Sequence, residues 1–251
     1  MQANYLDDIA IIYITTIINR ERIDSCPPQL PFTIENDNTR KEYMDNAKHG
    51  AGQYDMYKDV VQLSMLVHRP NLFDRFYHII FCDDPNRPVG HVDSGNRLVE
   101  FVDKESTLII GAVNTLRNLA GMDSEGLYRL PQNAVPVLAG WKLFSDIWPL
   151  IVTKSVAYNA PLPQFWRMSP VDRFSNVRGL LEISNIYTQG VSMNMRKLPA
   201  LSDALRYFGI GKEYDEPLDI AETICTKPEA VVDKVERYLL GQYELLKRYN
   251  A

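Results

Sequence analysis

The amino-acid sequence predicts an α/β or α+β fold, and three observations predict it. The run Ile9 to Ile18 is dense in β-branched residues and bounded by polar ones, the pattern of a central strand covered on both faces. Further short apolar segments closed by turn residues recur along the chain, interleaved with stretches of helical spacing. The C-terminal segment Pro228 to Tyr249 carries one apolar stripe, through Val231, Val232, Val235, Tyr238, Leu239, Leu246 and Tyr249, and reads as a long amphipathic helix. With 251 residues and 45% hydrophobic content the chain can bury a large core, so a single domain over 1–251 is expected.

After the first strand, residues 20–52 change character. Pro27, Pro28, Pro31, several Asn and Asp, and the pair His49-Gly50 predict an irregular inserted segment on the surface. From Tyr54 to Val67 the apolar spacing is helix-like. Arg75 to Cys82 reads as a second strand, closed by Asp83, Asp84, Pro85 and Asn86, and Gly90 to Phe101 as a hairpin around Ser94-Gly95-Asn96. Lys104 to Leu119 has helical spacing through Leu108, Ile109, Val113 and Leu116. Val135 to Ala139 is a short strand, Leu150 to Tyr158 a helix stopped by Pro161 and Pro163, Leu180 to Ser184 a brief strand, and Leu201 to Phe208 a helix ending at Gly209-Ile-Gly211. Gly209-Ile-Gly211-Lys212 suits a helix C-terminus and is too short for a phosphate loop.

A formal net charge of −5 gives no overall basic field to attract nucleic acid, so any such contact needs a local patch. Cys26, Cys82 and Cys225 are far apart and odd in number, which suggests idle thiols rather than a disulfide framework or zinc site. His49, His68, His78 and His91 show no ligand spacing and read as ordinary core or surface histidines. The apolar run at 9–18 is too short to span a membrane, and Asp7 and Asp8 stand where a secretory signal carries positive charge. A cytoplasmic protein is expected, in the host cytoplasm if a phage or virus encodes it.

Read in order, these segments resemble the tyrosine subtype of the DEDD exonucleases, the RNase H-like group that includes polymerase proofreading domains, and within it the stand-alone exonucleases related to family B polymerases. Residues 138–150, Leu-Ala-Gly-Trp-Lys-Leu-Phe-Ser-Asp-Ile-Trp-Pro-Leu, running on to Pro163, resemble the group's Asn-x-x-x-Phe-Asp motif and following helix, with Asp146 as its aspartate. Residues 180–187 resemble the short strand that carries a His-x-Asp-Leu signature, and 198–210 the helix before the last motif. The resemblance implies an α/β, RNase H-like mixed central sheet flanked by helices, with an insertion after the first strand.

It also implies a site. Phosphodiester cleavage in that group relies on two divalent ions about 3.5–4 Å apart, held by converging carboxylates beside an anionic phosphate. Aligning residues 12–18 on the first motif puts Tyr13 at the aspartate and Thr15 at the glutamate. Tyr238-Leu-Leu-Gly-Gln242 falls where Tyr-x-x-x-Asp belongs, so the tyrosine is kept and the aspartate has become Gln242. Trp141 or Lys142 stands at the asparagine of the second motif. Tyr13, Thr15, Asp146, Tyr238 and Gln242 are thus vestigial positions with Asp146 the one retained ligand; no catalysis, cofactor or bound metal is expected.

The expected role is therefore binding, of single-stranded DNA, structured RNA or a protein partner in a replication, transcription or translation assembly, with no membrane association. Trp141, Phe144, Trp148, Phe165 and Trp166 could stack on bases or plug the vacated cleft. Lys142, Arg167, Arg173 and Arg178, with Arg196 and Lys197, could contact phosphates. One alternative is an active Mg2+- or Mn2+-dependent exonuclease with a shifted ligand set, drawing on Asp7 and Asp8 or on Glu182, Glu236 or Glu244. Another is a purely protein-binding module, phage- or virus-encoded.

Overall fold

The computed structural model describes residues 6, 8–28, 37–50, 55–69, 72–82, 89–122, 135–163, 166, 179–188, 198–210, 223–224 and 226–250. They form an α/β fold around a mixed seven-stranded sheet. The strands are β1 (Ile9–Ile18), β2 (Lys58–His68), β3 (Arg75–Phe81), β4 (Gly90–Asp93), β5 (Arg97–Val102), β6 (Val137–Gly140) and β7 (Leu180–Glu182), and their order is β4-β5-β3-β2-β1-β6-β7. β1, β2 and β3 pair antiparallel in sequence, while β6 adds parallel to β1 and β7 parallel to β6. The β4–β5 hairpin extends the other side, with β5 parallel to β3 and Gly95 turning the chain at φ +85°.

Helices cover both faces. On one lie α3 (Glu105–Leu119) and α4 (Trp148–Ala157), packing Leu108, Ala112, Leu116 and Ile151 on Ala10, Ile12, Leu63 and Met65. On the other lie α6 (Leu201–Tyr207) and the long α7 (Pro228–Asn250), packing Leu205, Val231, Val235 and Leu239 on Ile9, Ile11, Leu66 and Ile80. Of the predicted α7 stripe only Tyr249 is exposed. The short α5 (Ser184–Thr188) follows β7. The largest apolar runs face these two cores, and no described helix is long and apolar enough to cross a membrane.

Three expectations are corrected. Residues 20–52 are not simply irregular: α1 (Arg20–Ser25) and α2 (Asp37–Gly50) form within them. Asn19 caps α1 by accepting the Arg22 N–H at 2.8 Å, and α2 is polar over most of its surface, so no apolar stripe announced it. The helix expected over Tyr54 to Val67 is replaced, among the described residues, by a single 3-10 turn at Asp55–Tyr57 and most of β2. Eight successive residues of β2, Val60 to Val67, are buried, because both faces are covered, and a run buried on both faces loses the alternation that marks a strand. Finally, Cys26 is a free exposed thiol but Cys82 is disulfide-bonded, a pairing that leaves no spacing signature; Cys225 lies outside the described residues.

Candidate functional site

A pocket of about 240 Å³ opens where β1, the end of β6 and α6 meet. β1 contributes Tyr13, Ile14 and Thr16, β2 contributes Lys58, and α6 contributes Leu201. The segment after β6 contributes Trp141, Lys142, Asp146 and Ile147, and α4 contributes Leu150. A register shift between Thr15 and Thr16, where Thr15 faces Gln62 and Thr16 faces Val60, kinks the pairing beside it.

Local chemistry explains how β6 delivers its residues. A Cβ on Gly140 would sit 3.2 Å from the Ile12 carbonyl oxygen, a tight contact that glycine avoids where this strand end runs against β1. The chain then turns at Lys142, whose φ of 58° and ψ of 37° lie in the left-handed region. A π-helical turn, Leu143–Ile147, follows and leads into α4, with the Lys142 carbonyl accepting from Asp146 and Ile147 N–H at 3.0 and 3.2 Å. Glu182 steadies the turn: one oxygen accepts the Phe144 N–H at 2.8 Å, and the other accepts from Ser184 N and Oγ at 3.1 and 2.6 Å.

α7 packs behind two of the lining residues, Tyr13 and Trp141. The Tyr13 and Tyr238 rings lie 5.7 Å apart, tilted by 36°, with the Lys234 ammonium 5.9 Å from the Tyr238 ring centre. Burial and the neighbouring Tyr238 push the Tyr13 phenol up to about 12, against a lowering by its hydrogen bond with Thr15, so it is a neutral hydroxyl over the whole physiological range. Gln242 is fully buried; its Oε1 accepts the Trp141 backbone N–H at 2.8 Å and its Nε2 donates to the Tyr238 carbonyl at 3.4 Å. The Trp141 indole donates to the Pro199 carbonyl at 3.2 Å, which fixes the ring.

Tyr13, Trp141, Lys142 and Asp146 therefore share one pocket, Tyr238 packs on Tyr13, and Gln242 binds the backbone of Trp141. Thr15 lies on the same strand but its hydroxyl donates to Gln62 Oε1 at 3.4 Å, and it does not line the pocket. Phe144 is outside the lining as well, and its side chain is exposed. Trp148 and Trp166 are buried in the α3/α4 core, away from the pocket, so of the described tryptophans expected near the cleft only Trp141 reaches it. Phe165, Arg167, Arg173, Arg178, Arg196 and Lys197 lie outside the described residues, as do Gly211 and Lys212.

The donor set does not suit a pair of divalent ions. Among the lining residues Asp146 is the one carboxylate, and the oxygen of Gln242 is already engaged by a backbone N–H. The other acids weighed as metal ligands are engaged elsewhere: Glu182 in the caps above, Glu236 with Arg97 and His78, and Glu244 with Lys247 and Arg248. Asp8 pairs with Arg69 at the opposite end of β1, and Asp7 is outside the described residues. Among the described residues no group of three or more His, Cys, Asp or Glu is placed to hold a metal.

Two polar networks went unread in the sequence. Across the sheet beneath α7, Gln62 Nε2 donates to Ser64 Oγ at 3.0 Å, Ser64 Oγ meets His78 Nδ1 at 2.8 Å, and His78 Nε2 meets Glu236 at 3.1 Å. Gln62, Ser64 and His78 are buried, so this array of serine, histidine and glutamate is closed to substrate and serves to seat α7. On the opposite face the buried Lys154 pairs with Glu105 at 2.7 Å, and Glu105 also accepts from Val60 N–H and the Tyr158 hydroxyl. The sequence signal for the first was available: Gln62 and Ser64, two apart in an apolar run, mark one polar face once the run is read as a strand.

Comparison of the sequence with protein-family models and with curated proteins gave no match.

Proposed function

We propose that this chain is a catalytically degenerate 3′–5′ exonuclease-like protein, an RNase H-like scaffold used for binding in a nucleic-acid-processing assembly. The observation that carries the reading is that Tyr13 and Asp146 line one pocket while Tyr238 packs on the Tyr13 ring and Gln242 holds the backbone of Trp141, so that three segments far apart in sequence meet. These are the segments that the exonuclease resemblance requires to converge, and a phenol and an amide stand where it requires carboxylates. The core order β3-β2-β1-β6-β7, three antiparallel strands followed by two parallel additions, supports the same scaffold.

Binding to single-stranded nucleic acid is the form of the proposal the pocket favours. Aromatic side chains, Tyr13 and Trp141, and cationic ones, Lys58 and Lys142, line it together. Labelled single-stranded DNA and structured RNA, incubated with the protein and Mg2+ or Mn2+, are expected to stay full length while a gel shift that weakens with salt reports binding. Metal-dependent shortening of the strand that disappears in Asp146→Asn would overturn the reading and leave the active exonuclease in its place. No shift with either nucleic acid at low salt would leave only the protein-binding role.

A further inference from the structure

The pocket differs from a metal site in the sign of the charge it can accommodate. The residues that line it include Lys58, Lys142 and Asp146, two basic side chains against one acidic, together with the hydroxyl-bearing Tyr13 and Thr16. A divalent cation would meet one anionic ligand and two like charges. An anion would meet two cations and hydroxyl donors.

The backbone singles out Lys142. A lysine in the left-handed region is disfavoured relative to glycine or asparagine, and its side chain makes no capping hydrogen bond at the head of the π-helical turn. Among the described residues only one other non-glycine, Asn159, has positive φ, and asparagine tolerates it. A strained residue and a π-helical turn that coincide at a pocket wall are a recurrent mark of function, and what lysine adds over glycine here is its ammonium group. The pocket, at about 240 Å³, is smaller than the roughly 300–1,000 Å³ that encloses a drug-sized ligand, so it suits a compact anion rather than a whole nucleotide.

We infer that this pocket binds a phosphate group directly through Lys142 and Lys58, without a divalent metal, beside the Tyr13 and Trp141 rings. The inference rests on the reading of this pocket as the binding site and gives it a ligand class. The phosphate can be the end of a nucleic-acid strand or a free phosphate, and both present the same tetrahedral anion to the two lysines.

The test is calorimetric titration of the full chain in excess EDTA with three probes: inorganic phosphate, a short single-stranded oligonucleotide with terminal phosphates, and the same strand with hydroxyl ends. Phosphate and the phosphorylated strand are expected to bind in EDTA. Lys142→Gly keeps the left-handed turn, so its thermal midpoint should match or exceed the parent's, while phosphate affinity falls about tenfold or more, the loss of one charged hydrogen bond. Asp146→Asn, which removes the opposing charge, should tighten phosphate binding. Preference for the phosphorylated strand over inorganic phosphate assigns the site to strand ends; equal affinity assigns it to free phosphate, which keeps the inference and removes the nucleic-acid function proposed above. Absence of phosphate binding at millimolar concentration, binding that needs Mg2+, or full affinity in both Lys142→Gly and Lys58→Ala overturns the inference.

Discussion

Replacing Gln242 tests whether an amide, and not a carboxylate, belongs against the backbone of Trp141, a residue of the pocket wall. Its side chain is fully buried and its oxygen takes the Trp141 N–H at 2.8 Å. In Gln242→Leu the volume is nearly kept, so the cavity contribution is small, but the buried Trp141 N–H loses the acceptor that Gln242 supplies. That costs about 1–3 kcal/mol, a sizeable part of the roughly 5–15 kcal/mol that holds a domain folded. Gln242→Glu is more informative. Its carboxylate could still accept from Trp141, but near neutral pH a charge would be buried without a counter-ion and an oxygen would face the Tyr238 carbonyl. Burial therefore raises the folded-state pKa above the unfolded value of about 4.3, and the variant loses stability relative to wild type as pH rises from there. Urea denaturation of the three proteins across pH reads both effects. The account expects the glutamate variant to approach wild type only on the acidic side. A glutamate variant as stable as wild type at neutral pH would refute the reasoning, because the site would then have to supply a cation or open water.

On the opposite face, Glu105→Ala strips the buried Lys154 of its nearest counter-charge and should cost about 3 kcal/mol, the low end for a broken buried pair, because Asp59 remains 3.7 Å from the ammonium. Glu105→Leu with Lys154→Met should recover most of that loss in a double-mutant denaturation cycle, and a purely additive result would count against the pairing. Tyr13 and Tyr158 are both pushed up to about 12, Tyr13 mainly by burial and Tyr158 by burial and then its bond to Glu105. Raised phenols stabilise the fold fully below the unfolded value of about 10 and cease to do so as pH climbs toward 12, so phenolate absorbance should show these two ionising late, and Tyr13→Phe and Tyr158→Phe should each remove part of the late step. Burial raises the Glu236 carboxyl, but hydrogen bonds and charge from His78 and Arg97 outweigh it and hold the group below the ordinary carboxylate range. Its contribution is present above the unfolded pKa of about 4.3 and lost as pH falls through the lower folded value, so the gap in thermal midpoint between wild type and Glu236→Gln should close in acid.

How far the fold could be read depended on how each segment is buried. β1 was plain because its β-branched residues favour one conformation whatever covers them. β2 is hard to read because Val60 to Val67 is enclosed on both sides, so apolar residues stand on both faces and the strand alternation shows only at Gln62 and Ser64. The hairpin around Gly95 and the helices α3, α4, α6 and α7 were legible from turn chemistry and one-sided stripes, which are local signals. The site was legible only in part. Tyr13, Asp146 and Gln242 were reached through the exonuclease resemblance, since a tyrosine in a strand and a glutamine in a helix have no chemistry that marks them alone. Lys58 and Leu201 enter the pocket by tertiary proximity, from β2 and α6, and nothing in their neighbours announces it. The His78 to Glu236 contact joins positions 158 apart in the chain, beyond any local pattern.

The proposal of a degenerate exonuclease requires that the pocket, with Asp146 its one lining carboxylate, take no pair of divalent ions. Calorimetric titration of the protein with Mn2+, beside Asp146→Asn, tests it most directly. The account predicts no saturable heat at millimolar Mn2+ in either protein. Saturable binding of one or two Mn2+ per chain, abolished by Asp146→Asn, would contradict it.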